Sequence, residues 1–234
     1  TQFIESLAFG ADTVKLGGIV ATADPRDRNF KKILKLHHKA SPHFRGIRKM
    51  ASFHEDKQIH AWTDEPQLYR NKKFLKGFEV LSQYNLSFDA WVYSTQLEDV
   101  IYLAKQFPET SIVLDHLGTP AGLFGPIGAN TGMTQTAREN IFFRWKDDLA
   151  ELASRPNVYT KMSGLFMPVL GHRFHKEGRL ASKQEVFDLA HPMITHALAC
   201  FGTYRVMFAS NFPMDSVSTS LVNIIDAFSD VVAA

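Results

Sequence analysis

An Asp-His pair, Asp115-His116, follows a short apolar segment near the middle of the chain and precedes a Gly-Thr-Pro turn. The segment Ser111–Leu114 has the continuous apolar character of a strand that is buried on both faces of a parallel sheet. Because ligands of such sheets collect at the carboxyl ends of the strands, His116 could polarise a carbonyl, orient a water molecule or bind a metal ion. The alternative is a structural histidine that bonds a neighbouring backbone carbonyl. We place Asp115 outside the site, since successive side chains of a strand point to opposite faces.

Two basic residues lie in other predicted strands. Arg48 ends the segment Phe44–Arg48, and its guanidinium could bind a substrate carboxylate through two hydrogen bonds. Lys161 interrupts the otherwise apolar segment Val158–Ser163, so its ammonium group must find a partner or face the open end of the sheet. An ion pair with a neighbouring acid is the alternative for both residues. We predict that both bind substrate.

Asn211 and Asp215 follow the last predicted strand. The amide of Asn211 could donate to a carbonyl or orient a water molecule. Asp215 could act as a general base if the Phe212-Pro213 turn folds it over the site. The alternative for Asp215 is the N-cap of a helix that begins near Ser216, a role that aspartate often fills. We predict that Asn211 and Asp215 are catalytic, together with His116.

Other polar and aromatic residues surround the carboxyl ends of the predicted strands. Tyr93 and Gln96 come at and after the end of the predicted strand Leu86–Tyr93 and could line a substrate pocket, with core packing and helix capping as the alternatives. Loops after the strands form the walls of a barrel's active site, although a single loop histidine is more often a surface residue. The loop residues of this kind are His54, His60, Trp62, His172 and His175.

Composition excludes several functional classes. The 234 residues carry a net charge of only +2, and no basic run with interleaved aromatic residues suggests a nucleic-acid partner. The single cysteine, Cys200, excludes an internal disulfide and favours a reducing, cytoplasmic location. No apolar stretch approaches the roughly 18 residues that span a bilayer, so no membrane association is expected. A small-molecule substrate is the expected partner, and assembly into a homo-oligomer is left open.

Strand-like and helix-like segments alternate along the whole chain, which predicts one parallel α/β domain over residues 1–234. Seven strands are expected, one fewer than in a closed eight-stranded barrel. We therefore predict a (β/α)8 TIM barrel whose first strand is missing from this chain and which is incomplete at both ends. The predicted strands are Gln2–Glu5, Gly17–Ala21, Phe44–Arg48, Leu86–Tyr93, Ser111–His116, Val158–Ser163 and Val206–Ala209, with helices near 26–40, 66–84, 96–107, 136–155 and 221–228.

Five strand ends match, in order, the motifs of one known family. The motifs are Arg45–Arg48, Asp89–Tyr93, Val113–Pro120, Lys161–Leu165 and Phe208–Asp215. Over essentially the whole chain, the sequence resembles the amidohydrolase superfamily, in the branch of metal-dependent TIM-barrel hydrolases that includes sugar-lactone and dicarboxylate-lactone hydrolases. The resemblance implies that Gln2–Glu5 is the second strand of the barrel and that Val206–Asn211 is the eighth.

The chain departs from this family at two metal-binding positions. The family's first strand carries a His-x-His pair that can hold a divalent metal, and none of the ten histidines forms such a pair. Most relatives end the eighth strand with an aspartate that serves as metal ligand and general base. This chain has Asn211 there, and an amide cannot accept a proton at neutral pH. A similar sub-branch reads Ser-Asn-Phe-Pro-x-Asp, which shifts attention to Asp215. The resemblance leaves the cofactor open between none and one zinc or manganese ion, with His116 as its ligand.

The expected activity is hydrolysis of a lactone, or of a related cyclic ester or amide, in a small carboxylated or polyhydroxylated substrate. Such hydrolysis needs an activated water molecule, a general base and a polarised carbonyl group. Two alternatives stay open. One is a non-hydrolytic decarboxylase of the same superfamily, and the other is a catalytically inactive barrel that binds ligands.

Overall fold

Six parallel strands form one sheet in which each strand pairs with its neighbours in the order of the chain. The computed structural model describes residues 1–10 and 14–234. Parallel strands in sequence order, each joined to the next through a helix, have the topology of a TIM barrel. Within the described residues the first and last strands do not pair with each other, so the sheet is open between them. The strands are β1 (Ile19–Thr22), β2 (Phe44–Met50), β3 (Ser87–Trp91), β4 (Ile112–Leu114), β5 (Val158–Met162) and β6 (Val206–Phe208).

Helices alternate with these strands, and side-chain caps fix where several of them begin. They are α1 (Gln2–Glu5), α2 (Phe30–Ala40), α3 (Lys72–Gln83), α4 (Leu97–Gln106), α5 (Gln135–Ala153), α6 (Lys183–Phe201) and α7 (Leu221–Ala233). The Asn71 side chain accepts hydrogen bonds from two backbone N–H groups at the start of α3. Ser182 and Glu185 form a reciprocal capping box at the start of α6. In the part of the chain that the structure describes, no helix is long and apolar enough to span a bilayer.

The segment Gln2–Glu5 is a short helix, so its prediction as a strand is wrong, and the described residues contain six strands rather than seven. A strand needs a neighbour for its backbone hydrogen bonds, whereas the Glu5 N–H donates locally to the Thr1 carbonyl at 3.1 Å. The Glu5 carboxylate bonds the Ser41 hydroxyl and lies 2.8 Å from His43 Nδ1, which holds α1 beside the start of β2. The other six predicted strands are confirmed, with bounds that differ by a few residues.

Large aromatic side chains pack the helices against the sheet. Phe74 and Phe78 of α3 contact Phe88 of β3, with ring centroids 5.8 and 5.0 Å apart. Trp145 of α5 is fully buried, and its Nε1 donates to the Leu117 carbonyl at 2.7 Å. Because this bond ties α5 to the turn after β4, the polar residues that follow β4 are held by the packed core.

Candidate active site

Four charged side chains from consecutive strands form an ion-pair cluster. Arg48 in β2 and Asp89 in β3 are register partners, while Asp115 follows β4 and Lys161 lies in β5. The Lys161 ammonium group bonds Asp89 Oδ2 and lies 2.9 Å from Asp115 Oδ1. Arg48 Nε lies 2.8 Å from Asp115 Oδ2, and Arg48 Nη2 lies 3.6 Å from Asp89 Oδ2. Two acids and two bases therefore neutralise each other. Arg48 and Lys161 thus both form the ion pairs with neighbouring acids that the sequence analysis gives as the alternative to substrate binding.

Burial and pairing set the charge of these groups. Burial raises the pKa of Asp89, and the charge of Asp115 raises it further, while Lys161 and Arg48 oppose the shift. Burial alone lowers the pKa of Lys161, but Asp115 and Asp89 outweigh it and raise the pKa above its ordinary value. Lys161 therefore stays cationic at neutral pH. Arg48 is the more accessible base, because 37% of its side chain is exposed against 18% for Lys161.

Asp115 belongs to this cluster, so the prediction that places it outside the site is wrong. The argument from alternating side chains requires a strand that continues through Asp115, but β4 ends at Leu114. Asp115 begins a tight turn instead, and its fully buried carboxylate lies between the ammonium of Lys161 and the guanidinium of Arg48. The end of the strand thus decides which way this side chain points.

His116 lies in a turn with unusual backbone angles. The φ angles of His116, Leu117, Gly118 and Thr119 are 56°, 51°, 76° and 41°. Residues other than glycine seldom adopt positive φ, so tertiary contacts must hold this turn. Trp145 Nε1 donates to the Leu117 carbonyl, and the Thr119 N–H donates to the His116 carbonyl at 2.9 Å. Strained backbone of this kind concentrates at functional sites.

The His116 ring is buried and neutral. Burial lowers its pKa to about 3, and the charges of Arg48 and Lys161 act in the same direction. Its Nδ1 lies 2.8 Å from the Ser163 hydroxyl. This nitrogen therefore bonds a side chain and not a backbone carbonyl, unlike the structural histidine that the sequence analysis gives as the alternative. Gly164 packs against the ring with φ at 64°, and a Cβ there would lie 2.6 Å from His116 Cγ. A side chain at position 164 would therefore displace His116.

Asp215 is buried beside the loop that follows β5. Asn211 Nδ2 donates to its Oδ1 at 2.8 Å, and the Phe166 N–H donates to its Oδ2 at 3.3 Å. Burial raises the pKa of Asp215 to about 7, although both hydrogen bonds lower it. The next helix, α7, is capped by Ser220, so the N-cap alternative for Asp215 is wrong. The structure thus brings Asn211 and Asp215 together as a pair in which the amide orients the carboxylate.

Tyr93 and Gln96 are bonded to the loop that follows β2. The Tyr93 hydroxyl donates to the His60 carbonyl at 2.8 Å, and burial raises its pKa to about 12, so the hydroxyl stays protonated. The Tyr93 ring lines a cavity together with His54. The Gln96 amide accepts from two backbone N–H groups and donates to two backbone carbonyls. These four bonds use its full hydrogen-bonding capacity, which leaves no group for a substrate.

The loop after β2 also supplies an aromatic wall. Trp62 packs edge-on against Trp91 with centroids 5.6 Å apart, and His60 lies 4.7 Å from Trp62. The Trp91 ring in turn lies 6.2 Å from the ring of His116. Trp91 therefore connects this wall to the candidate active site. His172 lies elsewhere, stacked on the rings of Phe124, Phe166 and Phe174.

Sequence reasoning missed four residues of this site, namely Asp89, Asp115, Ser163 and Trp91. Asp89 carried a usable signal, because a charged residue inside an apolar strand is the same pattern that singled out Lys161. Trp91 lies two residues further along the same strand and thus shares the face of Asp89. The contact of Ser163 with His116 joins residues 47 positions apart, and no local pattern indicates it.

The donor set does not fit a metal ion within the described residues. His116 is the histidine of the site, but its neighbours Arg48 and Lys161 are cations that would repel one. Asp89 and Asp115 are already paired with those two bases. Within residues 1–10 and 14–234, no group of three histidine, cysteine, aspartate or glutamate side chains is arranged to hold a metal.

A family model described as amidohydrolase matches residues 13–229. The chain belongs to the amidohydrolase family. The resemblance that the strand-end motifs indicate is thereby confirmed. A protein of Sinorhizobium fredii named y4mH is 32% identical over 214 residues, which cover 92% of this chain and 62% of that protein. The L-fucono-1,5-lactonase of Burkholderia ambifaria is 27% identical over 179 residues, which cover 76% of this amidohydrolase and 49% of the lactonase. This chain thus spans less than two thirds of the length of either relative.

Solved structures confirm the fold. An amidohydrolase of Burkholderia multivorans with bound zinc matches with a TM-score of 0.71 at 21% identity, over 93% of this chain and 66% of that chain. The fold is therefore α/β, that of a TIM-barrel amidohydrolase of which the described residues form a part. The family and the lactonase name of a relative together support an enzyme of the hydrolase class.

Proposed function

We propose that this amidohydrolase opens a lactone, or a related cyclic ester or amide, of a small carboxylated or polyhydroxylated substrate. The observation that carries the proposal is a neutral His116 beside two cationic side chains, Arg48 and Lys161. Lactone hydrolysis places negative charge on the carbonyl oxygen, and preorganised donors and cations stabilise that charge in the transition state. The similarity to an L-fucono-1,5-lactonase supports the same class of reaction.

In this proposal His116 polarises the lactone carbonyl. When the Ser163 hydroxyl donates to Nδ1, the imidazole proton is on Nε2, which can then donate to the carbonyl oxygen. A pKa of about 3 keeps the ring neutral at physiological pH. Such a ring is a poor base, so the proton of the attacking water must go elsewhere.

Asp215 is the general base of the proposed reaction. With a pKa of about 7, it is substantially ionised at neutral pH and still basic enough to accept a proton from water. The water oxygen attacks the carbonyl carbon while one of its protons passes to Asp215. The ring C–O bond then breaks, and the proton passes to the leaving oxygen, which yields the open hydroxy acid. Asn211 orients the carboxylate throughout by donating to Oδ1.

Arg48 and Lys161 have different parts in substrate binding. The guanidinium of Arg48 is the more exposed cation and can bind a carboxylate or hydroxyl oxygen of the substrate. Lys161 contacts both buried acids of the cluster, so it acts mainly by keeping Asp89 and Asp115 neutralised. The substrate-binding predictions for Tyr93 and Gln96 do not enter this proposal, because their polar groups are bonded to the loop after β2.

The test is acid release at constant pH from a panel of lactones, with and without added zinc or manganese. The panel holds neutral polyhydroxylated lactones and lactones that carry a carboxylate. We expect turnover of at least one, and a His116→Asn variant should lower kcat by about 100-fold or more. His191→Asn is the matched control, since His191 lies on α6 and packs against Phe187. It should keep the wild-type rate.

Two results would overturn the proposal. One is the absence of turnover on the whole panel, and the other is an equal rate for His116→Asn and His191→Asn. Release of carbon dioxide from an unsaturated or aromatic acid would favour the decarboxylase instead. Saturable lactone binding without any turnover would favour the inactive ligand-binding barrel.

A further inference from the structure

The loops that follow β4 and β5 line a cavity of about 270 Å³ that is open to solvent. Both loops leave the carboxyl ends of their strands, which is the edge of the sheet that carries the candidate active site. Pro126 and Ile127 line one side of the cavity, and residues between Pro168 and Lys176 line the other. None of these residues takes part in the chemistry proposed above.

The walls of this cavity are fixed by direct contact between the two loops. The Phe124 N–H donates to the Leu170 carbonyl at 2.7 Å, so the two backbones are joined beside the cavity. Gly171 has φ at 99°, and a Cβ there would lie 2.2 Å from the Gly125 carbonyl oxygen. Only a glycine allows this approach of the two chains. These contacts between the two backbones therefore fix the distance between the loops beside the cavity.

The lining of the cavity is basic. No aspartate or glutamate lines it, and within residues 1–10 and 14–234 neither Arg173 nor Lys176 forms an ion pair. The nearest acid along the chain, Glu177, is paired with Arg179 at 3.0 Å. The positive charge at the cavity is thus left uncompensated. Its basic and imidazole side chains are His172, Arg173, His175 and Lys176.

His172 adds a hydrogen-bond acceptor to this lining. The residue is only 5% exposed, and its ring stacks on Phe124 and Phe166 with centroids 4.5 and 5.2 Å away. Its Nε2 lies 2.6 Å from the Leu165 carbonyl oxygen, so this nitrogen carries the proton and Nδ1 is an acceptor. Burial lowers the pKa of His172 to about 4, and the ring stays neutral.

We propose that this cavity binds an oxyanion, a phosphate or carboxylate group, through Arg173 and Lys176, with His172 accepting from a hydroxyl of the same ligand. Cationic side chains form their strongest hydrogen bonds with such groups. Since one water molecule occupies about 30 Å³ in the liquid, the cavity has room for an oxyanion together with part of the molecule that carries it. The oxyanion is either a free ion or the anionic group of a lactone substrate, and the second source rests on the proposed function.

The first arm of the test is calorimetric titration of the protein with inorganic phosphate at constant ionic strength. Constant ionic strength is needed because salt screens exposed charges. We expect saturable binding that an Arg173→Gln/Lys176→Gln variant weakens about tenfold or more. The matched control is Lys31→Gln/Lys35→Gln, which removes the same charge from exposed positions of α2. The control should bind phosphate like the wild type.

The second arm identifies the source of the oxyanion. If a lactone substrate supplies it, the Arg173→Gln/Lys176→Gln variant should raise KM about tenfold for carboxylated lactones and leave KM for neutral lactones unchanged. Equal phosphate binding by this variant and the α2 control would overturn the proposal. Two combined results would also overturn it. One is no phosphate binding together with KM values that the variant leaves unchanged, and the other is no phosphate binding together with no turnover of any lactone. The phosphate arm needs no turnover, so it decides the cavity's role even if the proposed hydrolase activity fails.

Discussion

Lys161→Met tests whether the ion-pair cluster depends on its buried cation. Lys161 contacts two carboxylates whose side chains are 2% and 0% exposed, and without it Arg48 alone would face both acids. Removing one partner of a buried ion pair costs about 3–5 kcal/mol, because a charge is left buried without compensation. Methionine nearly preserves the length of the side chain, so lost packing adds little. We expect Lys161→Met to lower the free energy of unfolding by this amount. The loss would be a large share of the roughly 5–15 kcal/mol by which a typical domain is stable.

Urea denaturation followed by circular dichroism measures this loss, as a lower midpoint at an unchanged slope. Lys105→Met is the matched control, since Lys105 pairs with Glu151 at 3.6 Å and both side chains are exposed. It should cost less than about 1 kcal/mol. Adding Asp89→Asn to Lys161→Met removes one unpaired carboxylate and should restore stability to within about 2 kcal/mol of wild type. The reasoning is refuted if Lys161→Met costs no more than Lys105→Met, or if the double variant is no more stable than the single one.

Three further outcomes are expected around the same site. Arg48→Met should raise KM for the best lactone about tenfold while changing stability less than Lys161→Met, and steady-state kinetics with urea denaturation compare the two. Asp215→Asn should lower kcat about 100-fold, and in the wild type kcat should fall as pH drops below about 7, because the base must be ionised. Burial raises the folded-state pKa of Asp215 from 3.8 to about 7, so its protonated form contributes stability that is full below pH 4 and lost as pH rises through 7. Urea denaturation between pH 5 and 8 should therefore show the free energy of unfolding falling with pH in the wild type, and Asp215→Asn should remove this pH dependence. Gly164→Ala should cost about 1–3 kcal/mol in thermal unfolding and lower kcat, because the new Cβ meets His116; equal kcat and melting temperature would contradict this contact.

The sheet could be predicted because each strand carries its own signal. Apolar runs such as Ser111–Leu114 and Val158–Ser163 alternate with helical periodicity, and this local pattern suffices for a parallel α/β order. The segment Gln2–Glu5 shows that such local signals do not always predict a strand correctly. Its residues suit a strand, yet a strand exists only where a neighbour accepts its backbone bonds, and the described residues give it none.

Part of the candidate site can be predicted from the sequence, and individual residues show which part and why. His116 lies just after β4 and Asn211 just after β6, so the topology indicates both, while Asp215 lies further along the loop and is indicated by the resemblance to the Ser-Asn-Phe-Pro-x-Asp motif. Asp115 was misplaced because one residue decides whether the strand continues, and the boundaries of elements are the least predictable feature of a sequence. The partners of His116 come from other strands, as the Ser163 hydroxyl shows, and no spacing along the chain encodes such contacts.

Arg48 and Lys161 have the same charge and the same acidic partners, yet their contacts assign them different tasks. Lys161 bonds both carboxylates directly. Arg48 Nε lies close to Asp115 Oδ2, but within the described residues neither atom has a well-directed hydrogen bond, and Nη2 reaches Asp115 Oδ1 only at 3.4 Å. Arg48 thus balances charge while keeping donors for another oxygen. In the proposed reaction Arg48 turns toward a substrate oxygen while Lys161 stays in contact with Asp89 and Asp115, so each carboxylate keeps a contact with one cation. We therefore propose that Lys161 is a positioning residue and that Arg48 is the residue that contacts substrate.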